Sequence, residues 1–428
     1  MRLTFNRRTL LYAPLLAIAS AMLFARTLFY ARIFPVESFG LFSQALLVAN
    51  TFTTFAGLGL TLLAQKLLPQ HHAREQRETF DDLVSACIAM CVASVALTVV
   101  GLLVAFALGW LRSWMTFGAA LFYAVTQYLF VLRLIELKSE LRFLGHARLS
   151  GIRAAALIVA GPATAIWTRS VTATILAESL MTLVITAPSL FGERGRQLLR
   201  RAVGIRHEFR RLTQFYPAAT RLLWLNGTTV ILYAIDRWFG IAFLSKHDYG
   251  IFALGLTVVL LFETAQAIVN VSAFPLMGRM LARGEHRRAF RFARLATLVV
   301  LTVGALCYVP FVLLLDFLLR TYLPTYLEAQ LVIKLAVIAG IFRLGDFYAS
   351  FAILLDQENR LSVGSGMLLA AAVLALTMAG AAGLGFGPDR MMTVTVVIAV
   401  SAFALNLAIA TSAYRGSMLR RELPPTPR

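Results

Sequence analysis

Charged side chains are scarce in this chain: Asp, Glu, Lys and Arg make up 14% of its 428 residues, while 59% are hydrophobic. With a mean hydropathy of +0.76, a water-soluble fold could not hide so much apolar surface. Cysteine is nearly absent. Cys87, Cys91 and Cys307 lack the Cys/His spacing of a zinc site, form no disulfide framework, and read as small buried apolar residues. The six histidines all lie in or beside loops, so no intramembrane Ser/His/Asp or His/carboxylate metal set is visible. A Gly-rich phosphate loop followed by Lys is missing too. The chain is therefore expected to be no enzyme and to carry no cofactor.

Long apolar runs take the place of these features. A bilayer-crossing helix needs about 20 apolar residues, and the sequence supplies twelve such segments, near 10–34, 40–64, 83–109, 115–135, 149–168, 172–191, 215–244, 250–275, 295–319, 328–355, 362–386 and 391–414. The first could be mistaken for a secretory signal behind Arg2, Arg7 and Arg8, but it is too long and eleven like it follow. The fold class read from this pattern is all-α, a polytopic membrane protein.

The net charge of +19 is distributed by side of the membrane. Of the 40 Lys and Arg residues, 27 fall on one set of alternate connections, and the other set holds only Arg32, Arg112, Arg169, Lys246, Arg320 and Arg390. Basic residues stay in the cytoplasm, so both termini are expected inside. This distribution also argues against nucleic acid as a partner. Every outside turn is short, which leaves no room for an extracytoplasmic catalytic domain.

The chain echoes itself at an offset of 210 residues. Ser38-Phe39-Gly40-Leu41-Phe42 aligns with Asp248-Tyr249-Gly250-Ile251-Phe252, Phe52 with Phe262, Thr54 with Thr264, and Arg26 with Asp236. The halves read as a parallel repeat of two pseudo-symmetric six-helix bundles. Residues 1–191 form the first bundle, 192–214 a basic amphipathic cytoplasmic linker, 215–414 the second bundle and 415–428 a cytoplasmic tail. In the linker Leu198, Ala202, Ile205, Phe209 and Leu212 recur at helical spacing among seven arginines, a pattern that lies along an anionic membrane surface.

An ionisable group at bilayer depth costs several kcal/mol unless it faces a partner or a wet cavity. Arg26, Asp236, Arg237, Glu263, Arg343 and Asp346 meet that description and are expected to line a common cavity, or to pair off as helix locks. Arg343 and Asp346 stand at i and i+3, and Arg26 and Asp236 at matching depths suggest a gate. Arg133, Arg153 and Arg221 lie nearer the cytoplasmic ends, from where an arginine stem can snorkel to the headgroups. Arg279, Arg283, Arg287 and Arg291 recur every four residues as a basic stripe suited to phosphate headgroups.

The run Arg26, Tyr30-Ala31-Arg32, Pro35-Val36-Glu37-Ser38-Phe39-Gly40-Leu41-Phe42 and Gly57-Leu58-Gly59-Leu60 resembles bacterial polysaccharide biosynthesis flippases. These are oligosaccharide-lipid transporters of the multidrug/oligosaccharidyl-lipid/polysaccharide exporter superfamily. The resemblance covers about 40 residues closely and implies two bundles facing each other around a cationic cavity. It implies transfer of a polyprenyl-pyrophosphate-linked oligosaccharide across the bacterial inner membrane by alternating access, for polysaccharide, O-antigen or lipopolysaccharide biosynthesis, alongside polymerase or export proteins. On this reading Arg26, Arg237 and Arg343 contact the substrate, and Asp236, Glu263 and Asp346 couple an ion or pair. Arg279, Arg283, Arg287 and Arg291 meet the headgroups of anionic lipids. The alternatives are a drug/cation antiporter of the same superfamily and a membrane glycosyltransferase or polymerase.

Overall fold

In lipid, backbone N–H and C=O groups must be satisfied within the segment itself, so apolar runs of this length become helices. The computed structural model describes residues 12–107, 114–203, 205–348, 351 and 387–422 and is helical almost throughout, with no strand among them. The helices in chain order are α1 Tyr12–Ile33, α2 Val36–Phe55, α3 Leu60–Ala73, α4 Arg77–Ala107, α5 Trp114–Ser139, α6 Phe143–Thr168 and α7 Val171–Phe191. There follow α8 Glu193–Val203, α9 Ile205–Phe243, α10 Lys246–Ala282, α11 His286–Tyr322, α12 Gln330–Leu344 and α13 Pro388–Glu422, with a 3-10 turn at Pro324–Ala329 before α12. Among the described residues eight helices are long and apolar enough to cross a bilayer, and α2 with α3, bent by 54°, makes a ninth. The expected eleventh span, 362–386, lies outside the described residues.

The chain divides into two compact units, 1–227 and 228–428. In the first, α1 packs along α6, α7 lies against both α5 and α6, and α2 packs on α5. In the second, α12 is the central helix, with α10, α11 and α13 around it. The outer face of α11 exposes Leu298, Val303, Leu306, Leu313 and Phe317, the dress of a helix turned to lipid. Cys307 is exposed on this helix, not buried as its residue type suggested, whereas Cys87 and Cys91 are buried in the first unit.

The 210-residue echo has a structural counterpart. Helices α2 and α10 start 210 residues apart, at Val36 and Lys246. The turns before them close with the same bonds, Phe34 N to Tyr30 O at 2.9 Å and Leu244 N to Gly240 O at 3.0 Å, then Phe39 N to Pro35 O and Tyr249 N to Ser245 O, both 2.9 Å. The aromatic pairs of the echo, Phe39 with Phe42 and Tyr249 with Phe252, are all buried. Phe42 packs edge-on against Tyr30 at 4.7 Å, and Phe252 packs over Gly240, the residue at Tyr30's place in the second half.

The amphipathic stretch after α7 begins by turning its apolar face to the protein. Its first part is α8, which buries Leu198 and Ala202 in a core shared with α4, and residues from 205 on already belong to α9. Arg194 turns to Asp81 at 2.7 Å and Glu140 at 3.1 Å, and Arg201 to Asp82 at 3.2 Å. Burial alone would lower the Arg194 guanidinium, but hydrogen bonds and charge attraction from Asp81, Glu136 and Glu140 carry its pKa above the usual arginine value. Acids near the start of α4 and the end of α5 thus draw the helix onto the bundle.

Candidate functional site

Two buried charge clusters stand out, one in each unit. In the first, Arg26 on α1 donates from Nη1 to Glu178 on α7 at 2.9 Å, and the Tyr30 hydroxyl donates to the other carboxylate oxygen. One helical turn separates Arg26 from Tyr30, so both side chains leave α1 on the same face. Space for Tyr30 is made by Gly161 on α6, where any Cβ would collide with the Tyr30 hydroxyl. Arg153 on α6 lies in the same layer. It donates to the Thr182 hydroxyl at 3.2 Å and the Tyr123 hydroxyl at 3.4 Å, and its guanidinium stacks 4.6 Å over Phe130. Glu178 is thus the acid bonded to Arg26, while Arg153 is held by hydroxyls and an aromatic face. Glu178 is fully buried and the Arg26 side chain is only 7% exposed.

The second cluster is built on α9, α10, α12 and α13. Glu263 accepts from Arg343 Nη1 and, at 3.5 Å, from Arg237 Nη2. The Arg343 guanidinium also lies 4.6 Å over the Tyr233 ring. Beside it, Asp236 accepts from the Thr395 hydroxyl at 2.6 Å and from the backbone N–H of Arg237 at 2.8 Å. Asp346 accepts from Asn406 Nδ2 at 2.6 Å. This cluster is more open than the first: the side chains of Glu263 and Arg237 are 29% and 16% exposed.

A break in the tenth span sets this geometry. Helix α12 ends at Leu344, and the chain resumes helical form only at Phe347. Both carbonyls freed at the break are claimed: Gly345 O by the Thr297 hydroxyl at 2.8 Å and Asp346 O by Gln266 Nε2 at 3.3 Å. Discontinuous backbone at membrane depth is tolerated only where it is buried in protein or lines a cavity.

The six sequence candidates are thus resolved into one and five. Asp236, Arg237, Glu263, Arg343 and Asp346 all lie in the second unit, while Arg26 belongs to the cluster in the first. Arg26 and Asp236, expected to face each other, each find a partner within their own unit, Glu178 and Thr395. Arg343 and Asp346 do not share a helix face, because the helix stops between them. Arg153, expected to snorkel, is buried, and Arg133 pairs with Glu136 at 2.6 Å. Glu178 was missed, although the depth rule that selected Glu263 applies equally to a lone acid in the middle of the sixth span.

The basic stripe is also divided. Arg279 lies on α10, Arg283 in the turn through Gly284, and Arg287 and Arg291 on α11. The α10 end closes by the Glu285 N–H bonding to Met280 O at 2.8 Å, so no single helix face carries all four. Arg283, Arg287 and Arg291 are exposed.

No family model matches the sequence, and no curated protein matches it. Solved structures do. The lipid II flippase MurJ in its inward closed conformation aligns with a TM-score of 0.63 at 11% identity, over 97% of this chain and 94% of that one. A point mutant of the Vibrio cholerae MATE transporter VcmN gives 0.58 at 15% identity, over 96% and 99%. A MATE protein in complex with MaL6 gives 0.59 at 12%, over 95% and 93%. The chain has their fold. It is the twelve-helix transporter fold, and the alignments run over most of both partners.

Proposed function

We propose that this protein flips a polyprenyl-pyrophosphate-linked oligosaccharide from the cytoplasmic to the outer leaflet of a bacterial inner membrane by alternating access, as a member of the exporter superfamily its sequence resembles. The observation that carries this reading is an excess of buried donors. Among the described residues, Arg237 Nε, Arg343 Nε, Arg343 Nη2 and Arg26 Nε have no hydrogen-bond partner. Arginine N–H groups can only donate, and buried donors without acceptors cost about 1–3 kcal/mol each. A pyrophosphate supplies the missing acceptors with matching geometry. Arg237 and Arg343, in the more open cluster, make that contact. Arg26 is held by Glu178 and joins only if that pair opens during the cycle. Asp236, Glu263 and Asp346 serve as ion-coupling or pairing groups. The exposed Arg283, Arg287 and Arg291, with Arg279, meet anionic headgroups in the cytoplasmic leaflet, where cargo is loaded, and polymerase or export proteins receive it outside. No step requires a catalytic group.

The structural similarity to multidrug MATE transporters supports a second reading, export of a cationic drug. A cation needs free buried acceptors, so the donor excess favours the first. The deciding measurement is export in cells carrying Arg343→Ala. Glu263 keeps Arg237 as a partner, so membrane levels should stay near wild type while export falls roughly ten- to hundredfold, the worth of a charged hydrogen bond or two. Disappearance of the protein from the membrane would instead make Arg343 a structural lock. Drug resistance lost with export intact would favour the cation exporter. Orientation is checked separately by reporter fusions at Arg420, expected inside, and Lys246, expected outside.

A further inference from the structure

The second span is broken as deliberately as the tenth, and the break opens onto a cleft of different chemistry. Between α2 and α3 the chain passes through Leu58 at φ 43° and Gly59 at φ 86°. A Cβ at Gly59 would overlap the Ala219 carbonyl, so both the left-handed backbone and the close approach demand glycine. The freed Ala56 carbonyl accepts from the Ser94 hydroxyl at 2.6 Å. Beside this elbow lies a cavity of about 150 Å³ whose polar lining is Thr53, Thr54, Thr61, Gln65 and Tyr128. Among the described residues nothing charged lines it, unlike both arginine clusters.

The hydrogen-bonding capacity of this lining is partly unspent. Thr53 and Thr54 donate to the Ala49 and Asn50 carbonyls at 2.8 and 2.9 Å, and Tyr128 donates to Cys87 O at 2.9 Å, which leaves three hydroxyl oxygens able to accept. Thr61 and Gln65 make no side-chain hydrogen bond among the described residues, and they stand one turn apart on the same face of α3. Gln65 presents a donor and an acceptor side by side, the arrangement that matches two neighbouring hydroxyls. Leu62 and Val131 add an apolar patch. The space equals that of about five waters at ~30 Å³ each, which accommodates one hydroxylated ring. A phosphate or a cationic drug would enter an uncharged cleft without compensation, whereas a neutral sugar ring matches it on both its hydroxyl and its C–H surfaces.

We infer that the elbow of the second span is a subsite for one uncharged sugar residue of the cargo, separate from the arginines that take the pyrophosphate. The inference rests on the flippase reading above, and on the orientation proposed there the cleft lies in the cytoplasmic half of the membrane, on the loading side. The test is binding to the full chain in nanodiscs, using two probes: undecaprenyl pyrophosphate carrying a single neutral N-acetylhexosamine or hexose, and bare undecaprenyl pyrophosphate. Wild-type protein should hold the sugar-bearing probe about three- to tenfold more tightly for each hydrogen bond made. Thr61→Val and Gln65→Leu should each erase a step of that preference, and Thr61→Ser, which keeps the hydroxyl, should restore it and so exclude a folding defect. Equal affinity of the wild type for both probes, or a preference that survives the double variant, overturns the subsite and leaves the flippase reading standing. Failure of both probes to bind at all overturns the flippase reading and the subsite with it.

Discussion

The two charge clusters use the same residue types and differ in how they are sealed. In the first unit Glu178 is fully enclosed and its arginine partner nearly so, with Tyr30 closing the remaining carboxylate oxygen. In the second, Glu263 and Arg237 keep part of their side-chain surface exposed, and among the described residues three guanidinium nitrogens, Arg237 Nε with Arg343 Nε and Nη2, lack acceptors, against Arg26 Nε alone in the first. A sealed pair contributes mainly to holding helices together, since breaking it strands a charge in low dielectric. An open pair with spare donors can exchange partners with a ligand. On the function proposed above, the first cluster serves a structural role and the second a working one, although their first helices are related by the same 210-residue repeat.

The largest effect should therefore come from the sealed side. Removing the carboxylate in Glu178→Ala leaves Arg26 and Arg153 facing each other without compensation, a loss of about 3–5 kcal/mol. It should appear as a sharp drop in thermal midpoint in detergent or as loss from the membrane. If instead the protein folds normally and only export fails, the first cluster is a working site as well and the contrast between the units collapses.

How much of this was legible beforehand follows from what lipid enforces. Span positions were readable because a membrane segment must be long, apolar and helical. The turn before the second helix of each half was readable because Phe39 and Phe42, with Tyr249 and Phe252, repeat as an aromatic pair. Partners were not readable, because Arg26 pairs with an acid 152 positions away and nothing in local spacing encodes that distance. The i,i+3 inference for Arg343 and Asp346 failed because it assumed an unbroken helix, and Gly345 is too weak a signal in an apolar run to announce a break. The basic stripe failed for a similar reason, at the turn through Gly284. The docking of α8 was hidden because a face that covers lipid and a face that covers α4 have the same composition.

The two broken spans offer a second, smaller contrast. Ser94 satisfies the carbonyl freed in the second span and Thr297 the one freed in the tenth. Ser94→Ala and Thr297→Val should each leave a buried acceptor unmade, at a cost of about 1–3 kcal/mol, read as a lowered thermal midpoint. Thr297 is buried and Ser94 only partly so, and water can replace the lost donor more easily at the second site. The tenth-span variant should therefore lose more stability. Equal losses would mean that both elbows are equally dry, which would contradict an accessible cleft at the second span.

The smallest effect concerns the docking of α8, where two arginines of equal exposure differ in geometry. Arg194 reaches Asp81 with both Nε and Nη2 and Glu140 with Nη1, whereas Arg201 makes one bond to Asp82 at 3.2 Å. Both side chains are 44% exposed, so solvent screens each pair and neither is worth much more than about 1 kcal/mol. Multidentate contact to two acids fixes the guanidinium plane and loses less entropy per bond than a single contact. Arg194→Ala should thus lower stability by up to about 1 kcal/mol and Arg201→Ala by less than about 0.5 kcal/mol. Because the contribution is electrostatic and exposed, the difference between the two variants should shrink when ionic strength is raised well above 0.1 M, where the screening length falls below ~10 Å. A difference that persists undiminished in high salt would place the holding force in the buried Leu198 and Ala202 contacts with α4, with the arginines serving only to keep the polar face of α8 in water.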